Sequence, residues 1–100
     1  MSELYSSSNH TMSPEESYGR LDEFLYTHQN NAMSFTADDD NHGMGLLCAH
    51  LKDDQTRATT VRLSKHQIGD FMRSHGFKCE SPALQDTSAA IQCVRPPMLQ

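Results

Sequence analysis

Arg57 to Phe77, RATTVRLSKHQIGDFMRSHGF, constrains the fold more than any other stretch, because a strand, a helix cap, a helix and a helix stop can be read from it in order. Thr59, Val61 and Leu63 alternate with Ala58, Thr60 and Arg62, the period of a half-buried strand. Ser64 then has the chemistry of an N-cap: its hydroxyl can accept from the backbone N–H three residues on, where Gln67 can reach back to complete a capping box. Ile68, Phe71, Met72 and His75 fall on one face of the turns that follow. Gly76 supplies the left-handed residue that ends them, with Phe77 placed to pack back.

The remaining elements attach to this unit. Residues 1–12, MSELYSSSNHTM, carry no apolar period and are expected to form a flexible arm. Ser13-Pro14-Glu15-Glu16 is a second capping box with proline at the first helical position. It predicts a helix over 14–29 that buries Tyr18, Leu21, Phe24, Leu25 and His28 on one side. Alternation predicts a strand over 32–37 with Met33, Phe35 and Ala37 together. Residues 44–51 are apolar on both faces, as in a central strand covered on two sides or a strand at a partner interface. With a strand at 57–63, a helix at 65–75 and a last strand near 88–94, the order is α-β-β-β-α-β. The expected fold is α+β: a small antiparallel sheet of three to four strands, the first three in a meander, with two helices packed on one face. Residues 13–95 form the single domain, and Pro96-Pro97 opens a short C-terminal tail over 96–100.

Composition narrows the function. Apolar residues are 36% of the 100, so the core is small, and six methionines must fill part of it. The net charge of −5 is unevenly divided: residues 1–50 hold eight acidic side chains against the single Arg20, and residues 51–100 hold five against seven basic ones. The overall sign argues against simple phosphate binding. No apolar run reaches the ~20 residues of a membrane span. Cys48, Cys79 and Cys93 cannot all pair within one chain and are too few to frame a secreted fold. A soluble protein of a reducing cytoplasm is the expectation.

Motifs with chemistry are scarce. Asp38, Asp40 and Gly43 match the first, third and sixth positions of a calcium loop, but His42 stands at the fifth and Ala49 at the twelfth, where a bidentate glutamate is required. The stretch reads better as a solvated turn between strands. Cys48 and His50 share a strand face, and His75 and Cys79 lie four apart across a helix end, so these four have the ligand types of a tetrahedral zinc site without the spacing of a familiar zinc module. Neither Cys48 nor Cys93 has an activating context for nucleophilic work with His50, His66 or His75, and Gly43-Met44-Gly45 lacks the rest of a phosphate loop. No catalytic residue and no cofactor is predicted. Arg62, Lys65, His66, Arg73, His75 and Lys78 line a basic edge near the second helix, yet no recognition helix follows.

Recognition of another protein remains as the leading expectation. A small acidic non-enzymatic domain can bind a larger protein or nucleoprotein complex and inhibit or regulate it, with Glu15, Glu16, Asp22, Glu23, Asp38, Asp39 and Asp40 as contact charges. In size and charge alone the chain resembles the compact inhibitors carried by phages and plasmids, anti-CRISPR proteins among them. The alternatives are a zinc-stapled interaction domain and a small nucleic-acid-binding regulator that uses the basic edge of the second helix. Direct nucleic-acid contact is not the expected mode, a membrane is not an expected partner, and a homodimer is compatible with the apolar stretch 44–51.

Overall fold

The computed structural model describes residues 12–80 and 90–96. Helix α1 spans Pro14–His28, and its capping box is complete: Glu16 N–H donates to Ser13 Oγ at 3.1 Å while Ser13 N–H donates to Glu16 Oε1 at 2.8 Å. Strands β1 (Ala32–Asp39), β2 (Gly45–Leu51) and β3 (Thr56–Val61) follow, then helix α2 (Lys65–Ser74), β4 (Lys78–Glu80) and β5 (Ile91–Val94). The second capping box also closes, with Gln67 N–H on Ser64 Oγ at 3.1 Å and Ser64 N–H on Gln67 Oε1 at 2.9 Å. At the far end of α2, Phe77 N–H donates to Met72 O and Gly76 N–H to Arg73 O, with Gly76 at φ +92. This paired bonding around a left-handed glycine satisfies the last carbonyls of the helix and turns Phe77 into the core.

The five strands form one antiparallel sheet in the order β3-β2-β1-β5-β4. The β1–β2–β3 meander matches expectation, and β5 then returns beside β1, leaving β3 and β4 as the two edges. Residues 52–55 join β2 to β3, and because Leu51 N–H donates to Gln55 O the loop proper is 52–54, with Asp54 in the left-handed region at φ 71. This is the three-residue hairpin geometry whose twist suits the flanking strands. Phe35 and Ala37 of β1, Leu47 and Ala49 of β2, Val61 of β3 and Ile91 and Cys93 of β5 are buried with Leu21 and Leu25 of α1 and Ile68, Phe71 and Met72 of α2. Both helices therefore cover the same sheet face. Gly45 is required where β2 meets the start of α2: a methyl group there would run into the Leu63 carbonyl oxygen and the Ile68 side chain.

Four expectations change. The sheet has a strand that the periodicity did not predict, β4, whose three residues are too few to show a period. Met33 does not join Phe35 and Ala37; a register irregularity between Ala32 and Ser34 turns it outward, where it is 65% exposed. Strand β2 is interior to the sheet but covered on one face only, since Leu46, Cys48 and His50 lie on the helix-free side and are half-buried. His75 caps the C-terminus of α2 and does not sit in the core, with its side chain 40% exposed. The predicted arm falls mainly on residues 1–11, the start of the last strand on 88–89, and most of the tail on 97–100, all outside the described residues.

Candidate interaction surface

The acidic turn 38–43 is held by its own carboxylates. Asp40 Oδ1 accepts from the backbone N–H of His42 at 2.7 Å and of Met44 at 3.0 Å, and these two bonds hold the Asp40 carboxyl below the usual value of 3.8. Asp39 Oδ1 accepts from Asn41 N–H, and its Oδ2 accepts from Lys65 N–H at 2.8 Å. Asp39 therefore places a negative charge on the first turn of α2, where the unpaired N–H groups and the helix dipole favour it. Asp38 Oδ1 accepts from Asp39 N–H. Asn41 and Gly43 adopt left-handed backbone at φ 61 and φ 99. Carboxylates turned onto backbone N–H groups in this way are the interior of a tight turn, which agrees with the solvated-turn reading over the calcium loop.

Beside this turn the end of the sheet opens a cleft of about 280 Å³. Asp38, Asp39, Asp40, Met44, Gly45, Leu46 and Thr60 border it, and its lining is almost wholly apolar, because the Asp39 and Asp40 carboxylates are turned onto backbone N–H groups. The cleft was not foreseen, because its floor comes from the helix-free face of β2, which an all-apolar run had suggested was covered.

The other predicted contact charges do not gather here. Glu15 and Glu16 lie in the first turn of α1, with Glu16 engaged in the capping box. That end of α1 reaches the β1–β2 turn indirectly: Arg62 N–H donates to the buried Ser17 Oγ, while the Arg62 guanidinium lies against Met44 Sδ at 3.6 Å. Asp22 faces α2 instead, with Oδ1 3.3 Å from His75 Nε2. Glu23 lines a separate groove between α1 and the β3 edge, with Arg20, Phe24 and Thr59.

The zinc quartet is a correction. Cys79 is bonded to Cys93 in a disulfide between β4 and β5, so its sulfur is no thiolate ligand. Cys79 and Cys93 are buried on the helix-covered side of the sheet, whereas Cys48 and His50 lie on the opposite face, and the sheet separates the two pairs. His50 Nε2 is 2.9 Å from Thr36 Oγ1, and His75 Nδ1 is 2.9 Å from the Phe71 carbonyl oxygen. Among the described residues no group of three or more histidine, cysteine and acidic side chains is placed to hold a metal ion.

The basic edge is largely engaged within the fold. Arg73 pairs with Asp70 at 3.0 Å and donates to the Cys79 carbonyl oxygen at 3.3 Å. Lys78 lies 3.7 Å from Glu80, His75 faces Asp22, and Lys65 is buried. Among the described residues no helix is long and apolar enough to cross a membrane. Comparison with protein families, with curated proteins and with solved structures finds no match to this chain.

Proposed function

We propose that this chain is a binding protein that regulates a larger protein or nucleoprotein complex by receiving a basic side chain of that partner in the cleft beside the 38–43 turn. The observation that carries the reading is an apolar cleft, with Met44 and Leu46 in its lining, bordered by the three consecutive acidic residues Asp38, Asp39 and Asp40. A lysine or arginine side chain has the matching structure, an aliphatic stem that gains from apolar contact and a cationic head that gains from carboxylates. Asp38 is the acidic residue least committed to holding the fold, because Asp39 caps α2 and Asp40 closes the turn. Titration with an oligolysine peptide should shift the amide resonances of Asp38, Leu46 and Thr60, and Asp38→Lys should abolish those shifts while the melting temperature changes little. Shifts confined to other residues, or unaffected by Asp38→Lys, would remove the cleft from the proposal.

The reading of a basic edge for nucleic acid is less well supported, since Arg73, His75 and Lys78 already face acidic partners. The disulfide favours an oxidising compartment for the folded chain over the reducing cytoplasm expected from the cysteine count. Alkylation of protein taken from its native source under non-reducing conditions should label Cys48 alone; labelling of all three cysteines would restore the cytoplasmic reading.

A further inference from the structure

Among the described residues strand β3 ends the sheet, and the bonding pattern identifies which of its backbone groups face outward. Asp40 N–H donates to Met44 O, and Leu51 N–H donates to Gln55 O. Hydrogen-bonded pairs alternate along antiparallel strands, so the backbone groups of Leu46, Cys48 and His50 serve β1 while those of Gly45, Leu47 and Ala49 serve β3. Their partners Val61, Thr59 and Arg57 point inward to β2, which leaves Thr56, Ala58 and Thr60 with N–H and C=O turned away from the sheet, the Thr56 carbonyl alone of these accepting from the exposed Arg57 guanidinium. No proline or bulge blunts the strand, and its sole charge is Arg57, whose exposed guanidinium donates to Thr56 O and Gln55 Oε1 and must release Thr56 O when the edge pairs.

We propose that this edge pairs with the same edge of a second copy, antiparallel about a two-fold axis at Ala58, to form one continuous sheet across a homodimer. Centring on Ala58 sets the three outward residues of one copy against those of the other, Ala58 on Ala58 and Thr56 on Thr60 in both directions. No other antiparallel register matches all three. Threonine pairs directly opposite are favourable on a sheet face. The charges agree with this sense of pairing. The hairpin turn before β3 holds two carboxylates, Asp53 and Asp54, beside Lys52, whose ammonium donates to Asn30 O, and Arg62 follows the strand, so antiparallel copies bring the net-negative end of one against the cationic end of the other. A parallel arrangement would set like charges together. The register is thus set by backbone bonding, and the antiparallel sense by side-chain charge.

Sedimentation across a dilution series should give twice the chain mass of 11.3 kDa at high concentration, falling to the single-chain mass on dilution. Hydrogen exchange at the Thr56, Ala58 and Thr60 amides should slow as the dimer forms. Ala58→Pro removes an N–H that points away from β2, so it should yield a folded monomer with the wild-type circular dichroism spectrum. Arg62→Glu should weaken the dimer, and adding Asp54→Lys should restore it, a rescue that a merely structural role would not produce. A chain that stays monomeric at every concentration overturns the proposal and leaves the edge to a strand of another protein. A dimer indifferent to both Ala58→Pro and the charge exchange overturns it equally.

Discussion

The two edges of the sheet are built on opposite principles. Strand β4 is three residues long, with an exposed lysine and glutamate on one face and a buried cysteine on the other. Its outward carbonyl at Cys79 is covered by the Arg73 guanidinium, and its one neighbour holds it covalently through Cys93. Strand β3 is six residues long, rich in threonine, and tied to the rest of the molecule through β2 pairing and the packing of α1 beneath it. Short, charged and covered edges resist association, whereas a long and open one invites it. The asymmetry indicates that one edge is closed by design of the sequence and the other is left to meet a strand.

Removing the staple tests the closed edge most severely. The disulfide spans 14 residues, a loop for which chain-entropy arguments give about 3 kcal/mol of stabilisation. Cys79→Ala with Cys93→Ala should lower the urea midpoint accordingly, and amide exchange should quicken first in β4, which has lost its tether. Uniform exchange across the sheet would mean that β4 was held by packing alone. On the open side, Gly45→Ala should cost about 1–3 kcal/mol by forcing β2 away from Leu63, the residue through which β3 runs into α2. A melt unchanged by that substitution would show that the Leu63 backbone gives way easily.

What could be read from the chain follows the range of the interactions involved. Both capping boxes and the Gly76 stop are local, made within six residues, and the residue types at those positions announce them. Strand β4 was invisible because Lys78-Cys79-Glu80 is defined by Cys93, a partner 14 positions away, and not by any period of its own. Asp39 has the look of a contact charge in the sequence, because nothing near it shows that Lys65 N–H, 26 residues on, claims it. The turn itself was legible, and the cleft beside it was not. Its floor depends on which face of β2 the helices cover, and a run that is apolar on both faces does not say.

Smaller effects separate the two ends of α2. Ser64→Ala removes the acceptor for Gln67 N–H and should cost about 1 kcal/mol, with Asp39 still bonded to Lys65 N–H. A loss well beyond that would show that the cap also fixes the approach of β3 to the helix.

The smallest expected change lies at Asp40. Its carboxyl is held below the usual 3.8 chiefly by the His42 and Met44 amides, so the folded state binds its proton less readily than the unfolded chain does. The sign follows from linkage: the contribution is complete above 3.8, where the carboxylate is charged in both states, and is lost as pH falls through the depressed value. Stability should therefore decline below about pH 4, and Asp40→Asn should flatten that part of the profile by removing at neutral pH the same small contribution that the native chain loses on acidification. Carboxyl chemical shifts followed by titration report the site directly. If Asp40 titrated at its ordinary value, the two amide bonds would not persist in solution, and the rim of the cleft would be looser than the fixed turn that the proposed basic side chain requires.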